Sequence, residues 1–335
     1  MFTKEDVKMV KILTVAAIAF VLAAVNGVFM IPILHKLKFG QEIREEGPKW
    51  HKAKSGTPTM GGFIFIAAAV AAAIIGMCVF HADKTTAIGL TMLFLALLGF
   101  GAIGFIDDYI KVILKRNLGL RAGQKFGLQF LVALLFSVLM VVCGVVEPEI
   151  IIPFTGKTLT LGIFIYIPFI VLVMLAAVNS VNLTDGIDGL AGSVTLVVCA
   201  FYCVVSNISG AAPVKLLAAA LAGGILGFLI YNRHPARVFM GDTGSLFLGG
   251  AVAAMAIYMK NPLALLIVGF VYVMESLSVI IQVTYFKKTG KRIFKMSPIH
   301  HHFEMCGWSE VKIFTVFTGI TVVMCILAFL GVRAR

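Results

Sequence analysis

The chain has 335 residues, of which 60% are apolar and only 13% are charged, and its mean hydropathy is +1.02. An ordinary soluble domain is about 45–50% apolar and about 25% charged, so this composition excludes a soluble globular protein. The net charge of +12 is typical of basic loops beside anionic lipid, and we expect a lipid bilayer as the partner and no nucleic acid.

Apolar runs recur from end to end, and each membrane crossing needs about 20 mostly apolar residues. The runs predict ten transmembrane helices, at about residues 10–34, 59–80, 87–105, 126–146, 161–180, 190–207, 213–230, 245–259, 263–285 and 313–331. We therefore predict an all-α polytopic membrane protein in which residues 1–335 form a single domain. The first run is too long for the core of a signal peptide, and we interpret it as the first helix.

The distribution of basic residues predicts the orientation of the bundle. Counting connections alternately places 36–58, 106–125, 179–190, 231–245 and 286–312 on one side, and these loops hold about two thirds of the 28 Lys and Arg residues. By the positive-inside rule this side is cytoplasmic, which puts both termini outside. Six of the seven histidines lie on the same side, so we expect the active site there.

Two adjacent carboxylates, Asp107 and Asp108, close an apolar run in the segment G-F-I-D-D-Y-I-K, which ends at Lys111. Charges at the end of a membrane helix are costly unless they are paired or coordinated, so they indicate function more often than packing. Neighbouring side chains diverge by about 100° around a helix, and the two aspartates are therefore expected to have different roles. A simply solvated pair is the alternative.

The segment N-S-V-N-L-T-D-G-I-D-G-L-A-G spaces Asn179, Asn182, Asp185 and Asp188 three residues apart. Residues at this spacing stack along one helix surface. The interleaved glycines leave room for a ligand or a second helix to approach. The pattern favours a polar site over a plain loop.

A further carboxylate, Asp242, stands between two glycines in N-R-H-P-A-R-V-F-M-G-D-T-G-S, just before an apolar helix. The free N–H groups of a helix N-terminus suit phosphate, and a lone carboxylate there suits a hard cation, although a capping aspartate is the alternative. Aspartates and asparagines without thiol ligands favour Mg²⁺, with Mn²⁺ as a substitute.

The segment P-I-H-H-H-F-E contains three consecutive histidines within a basic loop. Successive side chains do not all face one ion in regular structure, and no H-E-x-x-H spacing is present, so zinc is not expected. Glu275 lies inside the ninth apolar run, on roughly the same face as Gln282. A transport relay would place a carboxylate there, but one buried acid does not establish transport.

These motifs resemble, along essentially the whole chain, the bacterial phospho-N-acetylmuramoyl-pentapeptide transferases, within the polyprenyl-phosphate N-acetylhexosamine-1-phosphate transferases. The D-D-Y, N-x-x-N-x-x-D-G-I-D-G-L and G-D-T-G-S segments are similar to those of the superfamily, and the string from Gly40 to Gly62 and P-I-H-H-H-F-E narrow the match. The resemblance implies transfer of phospho-MurNAc-pentapeptide from UDP-MurNAc-pentapeptide to undecaprenyl phosphate. The products are lipid I and UMP, in the first membrane step of peptidoglycan synthesis.

The resemblance also implies a requirement for Mg²⁺, a site at the cytoplasmic face of the plasma membrane and, as an option, a homodimer. It implies that Asp242 and Asp108 bind the metal and that Asp107 accepts a proton from the lipid phosphate. It also implies that His301 is a catalytic residue, together with these three aspartates. Asp188 and Phe239 are similar to residues of a uracil pocket. The remaining residues that the resemblance places against substrate are Lys54, Thr59, Lys111, Lys125, Asn182, Asp185, Asn232, Ser245, His300 and His302.

Two other functions remain as alternatives. A sister transferase that moves GlcNAc-1-phosphate to the same lipid shares the aspartate motifs, but the first loop and the histidine string favour the muramoyl enzyme. A secondary transporter predicts polar residues at mid-membrane, whereas the polar residues here lie at one face. The sequence leaves open whether the lipid phosphate attacks directly or through a phosphoryl-aspartate.

Overall fold

The computed structural model describes residues 4–37, 56–113 and 119–333, and these form twelve α-helices and one small β-hairpin. In chain order they are α1 (Lys4–Lys36), α2 (Gly62–Val79), α3 (Lys84–Ile113), α4 (Ala122–Val142), β1 (Glu149–Ile152), β2 (Lys157–Thr160), α5 (Ile163–Thr184), α6 (Leu190–Ser209), α7 (Ala212–Asn232), α8 (Gly241–Tyr258), α9 (Leu265–Val268), α10 (Phe270–Thr289), α11 (Ile299–Met305) and α12 (Glu310–Arg333).

The prediction of an all-α polytopic membrane protein is confirmed. In the described part of the chain, eight helices are each long and apolar enough to cross a membrane, namely α1 to α7 and α12. A ninth span is formed if Pro262–Val268 and α10 are taken together, although they are bent by 83° at Gly269. The predicted run at 245–259 corresponds to α8, which has 18 residues but is less apolar because it carries Asp242 and several glycines.

Helix α8 is the centre of the bundle, and every residue from Thr243 to Ile257 is buried. It packs against α2, α3 and α5, and a helix buried on all sides belongs in a protein interior. Its glycines allow this approach. A Cβ on Gly249 would lie 2.5 Å from the Cα of Val178 in α5, so the two backbones touch without an intervening side chain, as small residues allow in membrane bundles.

The outer surface of the bundle is apolar where lipid would contact it. Helix α1 exposes Val21, Val25 and Phe29, and α5 exposes Phe164 to 95%. Such side chains need no protein partner in hydrocarbon, and the helical backbones satisfy their own N–H and C=O groups.

The first and the last helix each contact a segment that joins two other helices. The ammonium of Lys11 in α1 lies 5.2 Å from the ring centroid of Phe80, which follows α2. The N–H of Phe154 in the hairpin donates to the carbonyl of Gly331 in α12 at 2.9 Å. The placement of both termini on the side away from the site stays a prediction.

The hairpin of β1 and β2 was not predicted. It is antiparallel, with Glu149 opposite Thr160, and it closes the connection between α4 and α5. Lys260, just after α8, forms ion pairs with Glu147 and with Glu149, the latter at 2.9 Å. We call Lys260, Glu147 and Glu149 the hairpin cluster.

Near the polar motifs, two predicted helix boundaries and one segment predicted as loop were wrong. Helix α3 continues to Ile113 rather than ending at residue 105, and α8 begins at Gly241 rather than at 245. The aspartates pair with groups on neighbouring helices, and this allows the helices to continue through charged residues. The histidine string, predicted as part of a loop, forms the short helix α11.

Candidate active site

Two lysines and two aspartates meet where α3 ends and where α4 and α8 begin. The ammonium of Lys111 lies 2.6 Å from Asp107 Oδ2 and 2.7 Å from Asp242 Oδ2. The ammonium of Lys125 lies 2.8 Å from Asp242 Oδ2 and 3.4 Å from Asp107 Oδ2. We call these four residues the site cluster. The Asp107 side chain is only 3% exposed, and such desolvated charges persist because each is paired.

Asp108 faces a different partner and caps α8. Its Oδ2 accepts hydrogen bonds from the N–H and the hydroxyl of Thr243 at 2.9 and 2.7 Å, and its Oδ1 accepts one from the N–H of Asp242 at 3.1 Å. The residue before α8 provides no side-chain cap. A carboxylate from α3 therefore satisfies the free N–H groups of α8 and stabilises the positive end of its dipole.

Asp107 instead turns towards α4 and the loop before it, where its Oδ1 accepts a hydrogen bond from the N–H of Leu120 at 2.7 Å. The adjacent aspartates therefore have separate partners, as their angular divergence on a helix predicts. Asp107 keeps one oxygen against the two lysines, which leaves it beside the groups best placed to bind a phosphate.

Asn182 holds the other oxygen of Asp242. Its Nδ2 donates to Asp242 Oδ1 and to Ser245 Oγ, both at 2.8 Å. Asn179, one turn earlier, donates instead to Gln129 Oε1 of α4 at 2.9 Å. The prediction that these residues and the next two aspartates share one helix surface was wrong, since α5 ends at Thr184.

Asp185 follows the end of α5 and lies near three other carboxylates. Burial raises the pKa of Asp185 well above its ordinary value, and the charges of Asp242, Asp108 and Asp188 raise it further. The raised pKa of Asp185 therefore reflects burial first and the neighbouring negative charges second.

Asp188 lies apart from the site cluster, against the loop that precedes α8. Its Oδ2 lies 3.1 Å from His234 Nδ1 and accepts a hydrogen bond from the N–H of Ala236 at 3.0 Å. Glu310 Oε2 lies 3.6 Å from the same Nδ1. Among the described residues, Asp188, His234 and Glu310 are the group whose ligand atoms all lie within 4.8 Å of one another.

The loop before α8 pairs with the segment before α2. The N–H of Phe239 donates to the carbonyl of Pro58, and the N–H of Gly61 donates to the carbonyl of Phe239, each at 2.8 Å. Asn232 Nδ2 closes the loop by donating to the carbonyl of Val238 at 2.9 Å. Phe239 thus has its backbone fixed while its ring stays partly exposed.

Gly241 leaves the space in which Thr59 approaches Asp108. A Cβ on Gly241 would lie 2.7 Å from Thr59 Oγ1 and 2.6 Å from Asp108 Oδ2, and its φ of +73° already favours glycine. Thr59 therefore lies close to the Asp108 carboxylate, whereas its role on the nucleotide and sugar side, which the resemblance implies, stays a prediction.

Each histidine of α11 has a different partner. His300 Nδ1 lies 3.0 Å from Glu275 Oε2, and His301 Nδ1 lies 2.6 Å from Glu304 Oε2. His302 Nδ1 accepts a hydrogen bond from the N–H of Lys295 at 3.2 Å. The three ring Nδ1 atoms therefore lie against three different groups, and the expectation that the string does not bind zinc stays a prediction.

The structure thus brings eight predicted residues together, Asp242 among them, and places most of the others in adjoining segments. The eight are Thr59, Asp107, Asp108, Lys111, Lys125, Asn182, Asp242 and Ser245. The residues in adjoining loops and in α11 are Asp185, Asp188, Asn232, Phe239, His300, His301 and His302, whereas Lys54 lies outside the described residues.

Sequence reasoning missed the partners that orient these residues. Thr243 was quoted within a motif but not recognised as the partner of Asp108, and Glu304 was not recognised as the partner of His301. Glu310 and His234 were not connected to Asp188. The spacing of Glu304 three residues after His301 on a helix was a signal that the sequence offered. The contact of Glu310 with Asp188, 122 positions earlier, left no such signal in the sequence.

Two models of known protein families match the sequence of this chain. Residues 90–260 match the family model described as Glycosyl transferase family 4. Residues 54–66 match signature 1 of the phospho-N-acetylmuramoyl-pentapeptide-transferases, in the segment that carries Thr59.

Individual relatives are similar over nearly the whole chain. The phospho-N-acetylmuramoyl-pentapeptide-transferase of Clostridium botulinum (strain Alaska E43 / Type E3) is 53% identical over 323 residues, which cover 96% of both chains. That of Acetivibrio thermocellus is 52% identical over 322 residues, covering 95% of this chain and 94% of its own. That of Thermoanaerobacter sp. (strain X514) is 50% identical over 319 residues, covering 95% and 98%. The chain belongs to the phospho-N-acetylmuramoyl-pentapeptide-transferase family.

Proposed function

We propose that this chain transfers phospho-MurNAc-pentapeptide from UDP-MurNAc-pentapeptide to undecaprenyl phosphate, giving lipid I and UMP. Membership of the family over about 96% of the chain supports this activity. The observation that carries the chemistry is the site cluster, in which two lysines are held against two buried aspartates at one end of a membrane bundle. That position suits a reaction between a soluble nucleotide and a lipid that stays in the bilayer.

The reaction requires two anionic substrates to meet. An oxygen of the lipid phosphate forms a bond to the β-phosphorus of the nucleotide, and the bond from that phosphorus to the bridging oxygen breaks, so UMP leaves with that oxygen. Repulsion between the phosphates must be neutralised, and positioning with charge stabilisation provides most of the catalysis in such transfers. Lys111 and Lys125 supply two positive charges at the ends of two different helices.

Asp107 is the residue that we assign to accept the proton of the lipid phosphate. It is the one aspartate of the adjacent pair that faces both lysines, because Asp108 is occupied with the N-terminus of α8. A base must lie within hydrogen-bond reach of the proton that it takes, and a phosphate bound by the two lysines would satisfy this condition at Asp107.

The residues present fit a divalent cation. Asp107, Asp108, Asp185 and Asp242 lie close together, and these four carboxylates outnumber the two lysines beside them. The donors are oxygens, which suit Mg²⁺ or Mn²⁺. Asp242 and Asp108 are the residues that would hold the ion, and its chemical contribution is to withdraw charge from the diphosphate.

We further propose that the site faces the cytoplasm and that the chain resides in the plasma membrane. Support comes from the basic residues, which the sequence concentrates in the loops that carry the site motifs. A cysteine placed at Ser297 tests the orientation. It should resist an impermeant thiol reagent in intact cells and react after lysis, and labelling in intact cells would refute the orientation.

One reconstitution tests the activity. Purified full-length protein in lipid nanodiscs is given undecaprenyl phosphate, Mg²⁺ and either UDP-MurNAc-pentapeptide or UDP-GlcNAc, and UMP and glycolipid are measured. We expect products from the muramoyl donor alone. Turnover of UDP-GlcNAc alone would show that the chain transfers GlcNAc-1-phosphate instead. Full turnover in EDTA would show that the reaction does not require a divalent metal. Stoichiometric UMP release without lipid would establish a covalent intermediate.

A further inference from the structure

Glu275 is a buried acid that the site described above does not explain. It lies in the middle of α10, within a segment apolar enough to be part of a membrane span, and its side chain is 0% exposed. A carboxylate in such a position is costly unless a specific partner satisfies it, and intramembrane acids are therefore functional candidates. Its partner is His300.

The contact between Glu275 and His300 determines which ring nitrogen faces the carboxylate and which one is left for another partner. Glu275 Oε2 lies 3.0 Å from His300 Nδ1 and 3.5 Å from the backbone nitrogen of His300, and both side chains are fully buried. Because Oε2 already accepts from the backbone N–H of His300, we assign Nδ1 as a second donor to the same oxygen. The other nitrogen, Nε2, is then the one left to act on something else.

His300 Nε2 is directed at the turn between α5 and α6. A Cβ on Gly186 would lie 2.2 Å from Nε2, so the ring edge rests on the backbone at this glycine. The turn begins with Asp185 and continues to Asp188. Nε2 is buried and has no hydrogen-bond partner among the described residues, although buried polar atoms nearly always have one.

A second residue of α10, Gln282, holds the loop between α10 and α11 through hydrogen bonds that do not involve His300. Gln282 Oε1 accepts hydrogen bonds from the N–H groups of Ile293 and Phe294 at 3.1 and 3.0 Å, and its Nε2 donates to the carbonyl of Phe294 at 3.1 Å. Attachment of the loop is therefore separate from orientation of the histidine, and Gln282 offers a matched control.

We propose that Glu275 is a positioning residue of the transferase site, which holds the His300 imidazole with Nδ1 on its carboxylate and Nε2 against the Asp185–Gly186 turn, where Nε2 binds a polar group of the nucleotide-sugar donor. The proposal rests on the proposed function. Glu275 does not touch substrate itself. It acts through His300, much as a carboxylate behind a metal-bound or catalytic histidine fixes the tautomer and the ring plane.

The first experiment uses Glu275→Gln, which keeps the volume and an oxygen that accepts from Nδ1–H but removes the charge. The full-length variant is assayed with UDP-MurNAc-pentapeptide, undecaprenyl phosphate and Mg²⁺. We expect kcat/KM for the donor to fall about tenfold to a hundredfold, with a melting temperature close to that of the parent. A variant with unchanged kinetics would overturn the inference, whereas a parent that produces no UMP would overturn the proposed function instead.

A double-mutant cycle separates positioning from folding. If Glu275 acts through His300, Glu275→Gln should cost almost nothing further in a His300→Ala background, whereas independent effects would multiply. Gln282→Leu is the control. Its fold-loss of activity should multiply with that of His300→Ala, and its decrease in melting temperature should add to that of His300→Ala. Multiplying losses for Glu275→Gln would refute the positioning role.

A pair of histidine substitutions keeps the test valid if Glu275→Gln does not fold. Asparagine places its amide nitrogen near the position of Nδ1 and retains the contact with Glu275, but it has no atom at the position of Nε2. His300→Asn should therefore keep the melting temperature and lose activity as fully as His300→Ala. Wild-type kinetics in His300→Asn would show that Nε2 has no role.

Discussion

Both ends of this bundle carry a lysine bridged to two carboxylates, yet the two arrangements are built differently. In the hairpin cluster Lys260 lies between Glu147 and Glu149 on a short loop and a β-strand, and Glu147 is 71% exposed. In the site cluster the lysines and aspartates come from three helices, and the aspartate side chains are 3% and 16% exposed.

The difference shows what burial does to an ion pair. Exposed pairs contribute about 0–1 kcal/mol because water and salt screen them. Buried charges are costly to desolvate, so removing one partner leaves an uncompensated charge and costs about 3–5 kcal/mol. The same chemistry is therefore dispensable at one end of the bundle and essential at the other.

The largest effect should come from Asp242→Asn. The amide keeps the volume and the contact with Asn182 but loses the charge that holds both lysines. We expect turnover to fall by at least about 10²–10³-fold and the dependence on Mg²⁺ concentration to weaken, while the protein stays folded. Turnover rate is measured against Mg²⁺ concentration, and unchanged kinetics would mean that the site cluster is no more functional than the hairpin cluster.

Asp107→Asn should also lose turnover but retain nucleotide and metal binding, since Asp242 is intact. Any residual rate should rise with pH, because the lipid phosphate then loses its proton without a base. Rate–pH profiles of parent and variant check this, with donor binding measured by calorimetry. A residual rate that falls with increasing pH would contradict the assignment of Asp107 as base.

A smaller steric change tests how closely α3 must approach α8. A Cβ on Gly104 would lie 2.1 Å from the carbonyl oxygen of Asp242 and 2.6 Å from the nitrogen of Thr243. Gly104→Ala should therefore separate Asp107 from Asp242 and lower both activity and melting temperature. The control is Gly127→Ala in α4, where nothing lies within 4 Å, and it should be neutral or stabilising by up to about 1 kcal/mol. Equal effects of the two would refute this packing argument.

The smallest effect should come from Lys260→Ala, with activity unchanged and the melting temperature lowered by at most a few degrees. Pairing lowers the pKa of Glu147 below 4.5 and raises that of Lys260 above 10.5. The stabilisation is thus present above the unfolded pKa of the glutamate and below that of the lysine, and it is lost in acid as Glu147 takes up a proton. The difference in melting temperature should be constant from about pH 6 to 9 and shrink in acid. A loss of activity would contradict the comparison.

The sequence predicted the bundle well because bilayer thickness forces long apolar runs, and these are visible without a structure. It also predicted that Asp107 and Asp108 diverge, since helical geometry alone decides this. It did not predict that Asp108 caps α8 or that Glu275 meets His300, because such partners are set by how distant helices pack. The hairpin was missed because strands of four residues leave little periodic signal.

The Asp108 cap also has a consequence for biosynthesis. Asp108 receives hydrogen bonds from residues 134 and 135 positions later in the chain, and the ribosome produces α3 long before α8. Free N–H groups at a helix end are costly in the bilayer unless a partner satisfies them. The carboxylate that completes α8 is therefore already in the membrane when α8 emerges, and docking of the nascent helix onto it brings Asp107 and Asp108 to Asp242 in the same event.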